Sequence, residues 1–344
     1  MKIKHLILAV AAVCSIPAHA ANSINLGNYA VSSVYALDIL NGTGGGISGL
    51  EASAVTYARD RGTLFFVGDE GTGVIETSLT GQTISRMNFD WTGTGSTKHD
   101  TEGLTYLGGG VLVVGEERLQ DAYRFNYTAG GTATLVNSFV STSNVAVGNN
   151  GMEGISYDPR DGSFITIKQQ SPQNILAGTL TFAAATGSPP SLSGDGSSPL
   201  GGGTSTMMQL FDPTLMSIST LSDVQTLSPV NALLGTAAAD NLLVLSLGSK
   251  SLIEVNRLGQ VLSSFDLSNI LPHNAIEGVT VDEHGTIYLV AEQIQDGTQG
   301  LNPASQLIVL TAPVPEPETY AMMFAGLGLL GFMTRRKNSN PANT

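Results

Sequence analysis

Short runs of β-branched, aliphatic and aromatic residues alternate with glycine- or aspartate-containing turns along most of the chain. Four of these runs share an opening pattern, a glutamate ahead of a small, an aliphatic and a hydroxyl residue, and they begin at Glu51, Glu102, Glu153 and Glu277. The first three glutamates are 51 residues apart, and the 124 residues before Glu277 leave room for a degenerate copy that begins near Gln225. Short strands at regular intervals predict an all-β repeat protein.

Each copy continues with a turn and further β-rich runs. In the first copy these runs are 63–67, 73–79 and 82–89. Four short strands in about fifty residues are typical of a β-propeller blade. Five recognisable copies predict a propeller of five or six blades. The run at 32–39 either completes the blade that ends at 306–310, which would close the ring, or belongs to a sixth blade.

The N-terminus has the pattern of a secretory signal peptide. Basic residues precede an apolar stretch at 6–13, and Ala18-His19-Ala20 supplies the small residues that signal peptidase needs, so we expect residues 1–20 to be removed. The only cysteine, Cys14, lies inside this segment. The mature chain therefore has no thiol, disulfide or cysteine metal ligand.

The C-terminus combines three features in order: the triplet Pro315-Glu316-Pro317, an apolar run at 320–333, and the basic residues Arg335, Arg336 and Lys337. This order resembles the PEP-CTERM sorting signal, at 314–337, with a tail at 338–344. The resemblance implies export from a Gram-negative cell, a transient inner-membrane anchor through residues 319–334, cleavage by an exosortase-type transpeptidase, and delivery to the cell surface or extracellular space. An ordinary membrane anchor that is never cut is the alternative.

The remaining residues, 21–313, are long enough for one large all-β domain. The whole chain has 15 Lys and Arg against 28 Asp and Glu, for a net charge of −13, and 41 glycines. An acidic chain of this kind has no clustered cations for phosphate, which excludes nucleic acid as a partner. Residues 187–203 are rich in Gly, Ser and Pro and are interpreted as a mobile insertion without chemistry.

Acidic doublets follow the first two repeats, in Gly68-Asp69-Glu70 and Gly115-Glu116-Glu117. Together with the Glu-Gly-aliphatic-Thr/Ser-Tyr repeats, these doublets resemble the SdiA-regulated family of exported propellers over residues 48–310, and more distantly the phytase-like and esterase-like propellers. The resemblance implies a calcium-associated propeller. The third and fourth copies depart from the pattern, with 168–170 and 248–250 in place of a doublet.

The first strand of a propeller blade lines the central channel, so the repeat glutamates should approach one another at one mouth. Converging carboxylates repel unless they take up protons or a cation. Ca²⁺ suits such a site because it accepts six to eight oxygen ligands in flexible geometry. The predicted metal ligands are Glu51, Glu102, Glu153 and Glu277. In the alternative interpretation, each glutamate accepts hydrogen bonds from backbone amides of the next blade and needs no metal.

A second acidic set follows the repeat glutamates by one hairpin and returns to the same face: Asp69, Glu70, Glu116, Glu117 and Glu292. These residues either support the site, line a binding cleft on that face, or are solvated strand ends. His99 and His273 precede Glu102 and Glu277, where each is a candidate general base or metal ligand. A solvated loop position is the alternative for both. The only tryptophan, Trp91, is expected to pack between blades.

Two functions remain open from the sequence. The first is a binding or structural propeller at the cell surface or in an extracellular matrix, with polysaccharide or protein as the partner. The second is a metal-dependent phosphoesterase resembling phytases. A phosphoesterase needs cations to neutralise its substrate, and only Lys98, Arg118 and Lys168 lie near the motifs. The first function is therefore favoured.

Overall fold

The computed structural model describes residues 22–37, 51–69, 71–143, 147–187, 198–294 and 304–312. Its strands, in chain order, are β1 (Ala30–Ala36), β2 (Glu51–Ala58), β3 (Thr63–Asp69), β4 (Gly73–Thr77), β5 (Thr83–Asp90), β6 (Thr101–Gly108), β7 (Val111–Glu116), β8 (Asp121–Asn126), β9 (Thr132–Thr134), β10 (Phe139–Ser141), β11 (Met152–Asp158), β12 (Ser163–Lys168), β13 (Asn174–Gly178), β14 (Leu180–Thr181), β15 (Thr204–Ser205), β16 (Met208–Gln209), β17 (Leu221–Thr226), β18 (Leu242–Ser246), β19 (Ser251–Val255), β20 (Val261–Asp266), β21 (Asn274–Val281), β22 (Ile287–Ile294) and β23 (Gln306–Thr311).

Helical structure in these ranges is limited to single 3-10 turns, at Leu26–Asn28, Leu135–Asn137, Pro213–Met216, Asn231–Leu233 and Ala237–Asp240. None of the helices in the described part of the chain is long and apolar enough to span a membrane. The predicted signal peptide and the apolar run at 319–334 lie outside the described residues.

The strands form the five antiparallel blades that the repeats predict. In sequence order the blades are β2-β3-β4-β5, β6-β7-β8-β10, β11-β12-β13-β16, β17-β18-β19-β20 and β21-β22-β23-β1, numbered here blades 1 to 5. The short β9 adds to the edge of blade 1, and β14 pairs with β15 outside the blades. The first strands of successive blades lie side by side in a closed ring, with β21 beside β2. The fold is therefore a five-bladed β-propeller.

The N-terminal strand closes this ring. Strand β1 pairs antiparallel with β23, from Ala30 opposite Thr311 to Ala36 opposite Gln306. Of the two interpretations offered for residues 32–39, the first is confirmed, and the sixth blade is wrong. Because β1 supplies the fourth strand of blade 5, every blade has four strands, and both ends of the domain are held in one sheet.

The fourth, degenerate copy begins earlier than the sequence suggests. Strand β17 starts at Leu221, so this copy precedes the predicted start near Gln225 by a few residues. Within the predicted insertion, residues 188–197 lie outside the described residues. The segment that follows packs on blade 2, where the Gly203 N–H donates to the Phe139 carbonyl at 2.8 Å.

Five clusters of buried hydrophobic side chains fill the five interfaces between blades. Alternate residues of one strand supply opposite interfaces, because side chains on a strand alternate in direction. Phe65 faces blade 2 and its neighbour Phe66 faces blade 5, and both are fully buried. Trp91 lies between blades 1 and 2, edge-on to Tyr123, which confirms the prediction for this residue.

Polar clips join the blades near the axis. A hydroxyl on each of four inner strands accepts the backbone N–H of the next blade, at 3.0 to 3.1 Å: Thr56 from Tyr106, Thr105 from Tyr157, Ser156 from Thr226, and Thr280 from Tyr57. At the remaining interface Gln225 accepts from the Thr280 hydroxyl at 3.1 Å. These clips explain why a hydroxyl residue lies three positions after the glutamate in blades 2, 3 and 5 and three positions after Ser53 in blade 1.

Candidate functional site

Every inner strand carries a β-bulge at the same place, and the bulges organise the site. In blade 2, Thr101 pairs with Glu116 and Gly103 with Gly115, so Glu102 is the extra residue. The residues at the five bulges are Ser53, Glu102, Glu153, Ser222 and Glu277. A bulge re-aims a side chain and bends its strand. Three of the five bulges thus direct a glutamate toward one mouth of the propeller.

The bulges correct the alignment of the first repeat. Ser53 is the structural equivalent of Glu102, whereas Glu51 lies two residues earlier and pairs with Asp69. Glu51 still lies near the mouth, where it accepts a hydrogen bond from Gln293 at 2.5 Å. Although Glu51, Glu102 and Glu153 are equally spaced at 51 residues, Glu51 does not occupy the structural position of the other two.

The glycine after each bulge glutamate lets neighbouring inner strands approach. A Cβ on Gly154 would lie 2.5 Å from Asp223 Oδ1, and one on Gly278 would lie 2.9 Å from the Ser53 carbonyl oxygen. Asp223 occupies the glycine position of blade 4 and accepts the Val279 N–H of blade 5 at 2.7 Å. The clip role proposed for the repeat glutamates is performed here by an aspartate one position later.

The bulge glutamates belong to a buried and half-buried carboxyl cluster, which we call the acidic mouth: Asp69, Asp100, Glu102, Glu153, Glu277 and Glu292. Burial raises the pKa of Glu102 well above its ordinary value, and the carboxylates of Glu153 and Glu277 raise it further. Burial raises the pKa of Glu153 in the same way, with Glu117 as the next cause. The negative groups are thus close enough to oppose one another's ionisation.

Blade 5 contributes the pair Glu277 and Glu292. Burial raises the pKa of Glu277 to about 7, despite a hydrogen bond from Glu292 that acts in the opposite direction. Burial and the Glu277 carboxylate raise the pKa of Glu292 to about 10. At neutral pH this pair holds a proton unless a cation replaces it.

One group of three carboxyls in the acidic mouth joins Asp69, Asp100 and Glu102. One carboxylate oxygen from each lies within 4.8 Å of the other two. Asp100 and Glu102 are buried and Asp69 is half-buried. Sequence reasoning predicted Glu102 as a ligand and Asp69 as its neighbour but did not single out Asp100. Asp100 is not a repeat residue, and its position two residues before a bulge glutamate was the only available signal.

The acidic doublets divide between two environments. Glu117 interacts with Glu153 and accepts the Gly151 N–H at 3.1 Å. Glu116 instead accepts hydrogen bonds from the Ser96 hydroxyl and the Leu119 N–H, both at 2.7 Å, and burial raises its pKa to about 8. Glu116 therefore organises a loop. Glu70 lies outside the described residues.

The two candidate histidines flank the acidic mouth. The His99 ring stacks on Trp91, with ring centroids 4.9 Å apart. His273 precedes Asn274, whose side-chain amide donates to the Glu292 carbonyl at 2.6 Å. Among the described residues, the group that could hold a metal contains carboxylates only and neither histidine.

The three predicted cations are placed differently. Arg118 binds Asp100 at 2.5 Å and also donates to Asn149 at 2.5 Å. Lys168 donates to the carbonyl oxygens of Gln170 and Pro172. Lys98 is exposed. In the described part of the chain the acidic mouth thus keeps a large excess of carboxylates over cations.

Sequence comparison places this propeller in a family. The family model described as SdiA-regulated matches residues 32–293, which include all of the blade-forming repeats except the final strand. The chain belongs to the SdiA-regulated family. In this member of the SdiA-regulated family, residues 313–337 also match the PEP-CTERM protein-sorting motif. The motif indicates a protein that is exported to the cell envelope or surface of a Gram-negative bacterium and processed by an exosortase.

Solved structures with detectable likeness are remote in sequence. Glutaminyl cyclase of Myxococcus xanthus is 12% identical, with 83% of this chain and 97% of that chain covered and a TM-score of 0.46. The PQQ-bound aldose sugar dehydrogenase of Streptomyces coelicolor is 10% identical, with 82% and 97% covered and a TM-score of 0.46. At these values neither likeness carries a conclusion about the ligand or reaction of this member of the SdiA-regulated family.

Proposed function

We propose that this protein is a calcium-associated binding or structural propeller of the bacterial surface, with the cation held at the acidic mouth. The observation that supports the proposal is the grouping of Asp69, Asp100 and Glu102 oxygens within 4.8 Å. Ca²⁺–oxygen distances are about 2.3–2.6 Å, so two oxygens on one ion are at most about 5 Å apart. The spacing fits ligands of a shared ion.

The donor set suits Ca²⁺ more than other common metals. It consists of carboxylate oxygens, whereas Zn²⁺ and Cu²⁺ prefer nitrogen or sulfur ligands. Mg²⁺ demands near-ideal octahedral geometry at about 2.0–2.1 Å, while Ca²⁺ tolerates six to eight ligands in irregular arrangements. Carboxyls contributed by strand β3 of blade 1 and by β6 of blade 2 with the residue before it form an irregular set of this kind.

The electrostatic state of the acidic mouth also supports a cation. Burial and mutual repulsion raise the pKa values of Glu102, Glu153, Glu277 and Glu292. A divalent ion would remove both the repulsion and the need for bound protons. Binding should therefore release protons into solution, since the ligands must be deprotonated.

Calorimetric titration of the purified chain with CaCl₂, after exhaustive treatment with EGTA, tests the proposal. We expect saturable binding whose enthalpy differs between two buffers of different ionisation enthalpy, because protons are released. Glu102→Gln should weaken Ca²⁺ binding at least about tenfold, which corresponds to about 1.4 kcal/mol. The matched control Asp266→Asn removes an exposed carboxylate from the outer strand β20 and should leave the affinity unchanged. Equal affinities for all three proteins, or no binding heat, would exclude this site.

A calcium-dependent phosphoesterase is the second candidate. Arg118 beside Asp100 favours it, because a phosphate ester needs a cation next to the metal. The same arginine is already engaged by Asp100 and Asn149, and the His99 ring is stacked on Trp91. These contacts favour binding over hydrolysis. Calcium-dependent release of p-nitrophenol from p-nitrophenyl phosphate, lost in Arg118→Gln, would reverse this preference.

The cellular part of the proposal rests on the tail. We propose that residues 319–334 hold the exported protein in the inner membrane until an exosortase cuts near the Pro315-Glu316-Pro317 triplet, after signal peptidase has removed residues 1–20. The released propeller would then bind an extracellular polysaccharide or protein. Phosphate-rich nucleic acid is disfavoured as a partner by the net charge of −13.

A further inference from the structure

The mouth opposite the acidic mouth contains a large cavity. The inner strands begin at the bulges and end near Tyr57, Tyr106 and Tyr157, at a rise of about 3.3 Å per residue. Glu102 and Tyr106, four residues apart on β6, are therefore separated by roughly 13 Å along the strand. The ends of these strands surround a cavity of about 650 Å³, which lies within the usual range for small-molecule sites.

Three aromatic rings form the wall of this cavity. Tyr57, Tyr106 and Tyr157 occupy the same repeat position in blades 1, 2 and 3, and all are half-buried. The Tyr57 ring is stacked on Tyr288, and the Tyr106 hydroxyl accepts the Gly110 N–H at 2.7 Å. Packing and hydrogen bonding thus hold the rings in place before any ligand binds, which reduces the entropic cost of binding.

The floor of the cavity is polar. The hydroxyls of Thr56 and Thr105 line it, and each accepts one backbone N–H from the next blade. A hydroxyl that accepts one bond keeps its own proton to donate. Although burial acts to raise the pKa of Glu283 at the rim, a hydrogen bond with the Tyr57 hydroxyl holds it below its ordinary value. The same hydrogen bond helps to fix the Tyr57 ring at the edge of the cavity.

The charges around the cavity balance. The ionisable side chains among its lining residues other than tyrosines are Arg59, Asp60, Arg160 and Glu283. Arg160 forms ion pairs with Asp158 at 2.7 Å and with Asp240 at 2.6 Å, so its charge is already neutralised. This mouth therefore offers no excess of cations to attract an anion, and the net charge of the chain repels one.

We infer that the cavity binds a neutral saccharide. A sugar ring has apolar C–H faces and an edge of hydroxyl groups that both donate and accept. The tyrosine rings match the faces, and the Thr56 and Thr105 hydroxyls match acceptor oxygens of the edge. This site is distinct from the acidic mouth and does not depend on Ca²⁺ there.

A titration of the purified chain with neutral tetrasaccharides of glucose, galactose and mannose, followed by calorimetry, tests the inference. We expect at least one to bind saturably, with the same affinity in CaCl₂ and in EGTA. Tyr157→Ala should weaken binding about tenfold or more, because a stacking surface is lost, while Tyr157→Phe keeps the ring and the affinity. Because saccharide binding should not require Ca²⁺, a failure to bind saccharide would leave the proposed Ca²⁺ site untouched, and a failure to bind Ca²⁺ would leave the saccharide site untouched.

The matched control is Tyr35→Ala, which removes the same side chain from the outer strand β1 of blade 5. It should leave saccharide affinity unchanged. Unfolded variants are recognised by comparing thermal melts, and Tyr106→Ala, which removes the equivalent ring of blade 2, replaces Tyr157→Ala if that variant fails to fold. Tetragalacturonate, an anionic tetrasaccharide, is titrated in parallel. The inference is overturned if no neutral tetrasaccharide binds at millimolar concentration, or if only tetragalacturonate binds. It is also overturned if Tyr157→Ala binds as tightly as the unmodified chain.

Discussion

The imidazole of His99 lies parallel to the indole of Trp91, with ring centroids 4.9 Å apart and ring planes 8° apart. Trp91 is the only tryptophan of the chain and is 8% exposed. The next residue along from His99, Asp100, belongs to the acidic mouth. The tryptophan fluorescence of the protein thus comes from a single ring, which contacts the residue next to the proposed cation ligand Asp100.

Removal of this stacking partner should expose Trp91. The backbone of His99 has φ 60, a left-handed conformation that asparagine tolerates better than most residues, so His99→Asn is the suitable change. We expect a red shift of the emission maximum and stronger quenching by acrylamide. His284→Asn, at an exposed side chain, is the control and should leave both unchanged. Identical spectra for all three proteins would contradict the stacked arrangement.

Stability should depend on pH through Glu116. Burial raises its pKa from 4.5 to about 8 in the folded chain, so the folded state binds more protons than the unfolded state between these values. The contribution of Glu116 to the free energy of unfolding should therefore be largest below about pH 4.5 and should be lost as the pH rises toward 8. Glu116→Gln cannot ionise, and urea denaturation at pH 5 and pH 8 in EGTA should reveal a smaller difference between the two pH values. An unchanged difference would place the titrating group elsewhere.

Calcium affinity should rise with pH. The carboxyl of Glu277 has a pKa raised to about 7 by burial, and that of Glu292 is raised to about 10, so protons compete with a cation at neutral pH. The gain in melting temperature on adding CaCl₂ to EGTA-treated protein should be larger at pH 8.5 than at pH 6. Glu277→Gln should reduce the gain at both pH values, whereas Asp266→Asn should not. A gain that is independent of pH would argue that the bound ion does not displace these protons.

Close packing of the inner strands should make Gly154 intolerant of a side chain. An alanine Cβ there would lie 2.5 Å from Asp223 Oδ1 and 2.9 Å from Asp223 Cα. Gly154→Ala should lower the free energy of unfolding by about 1–3 kcal/mol, as overpacking does, and disturb the Asp223 bond to Val279. Gly27→Ala, whose new Cβ would meet only the Asn25 side chain at 3.2 Å, is the comparison and should cost less in the same urea titration. Equal stability of the two variants would contradict the close packing of blades 3 and 4 at Gly154.

Processing of the C-terminus should require its Pro-Glu-Pro triplet. Residues 313–337 match the PEP-CTERM motif. A Pro315→Ala and Pro317→Ala double variant expressed in the native host should accumulate in the inner-membrane fraction with its C-terminus intact, as judged by mass spectrometry. The unmodified protein should appear at the surface and end near the triplet. An uncut, membrane-bound C-terminus in both proteins would support the ordinary anchor instead.

Much of the fold was predictable because each blade is a local structure. Turn residues and β-branched runs identify its strands within about fifty residues, and the repeat then multiplies the signal. Closure of the ring by β1 was open, because the sequence contains two unpaired edge strands and only the arrangement in space brings Ala30 to Thr311. The contribution of Asp100 was also hidden, since it lies outside the repeated pattern.

The amino-acid sequence by itself determined the five repeats, the export signals and the acidic character of one mouth, because all of these follow from local spacing and composition. Only the tertiary structure decided which acids meet. A bulge places Ser53 where spacing suggested Glu51, and adjacent positions send Glu116 into a loop and Glu117 toward Glu153. A shift of one residue reverses the direction of a side chain on a strand, and the register that sets this direction depends on contacts between strands.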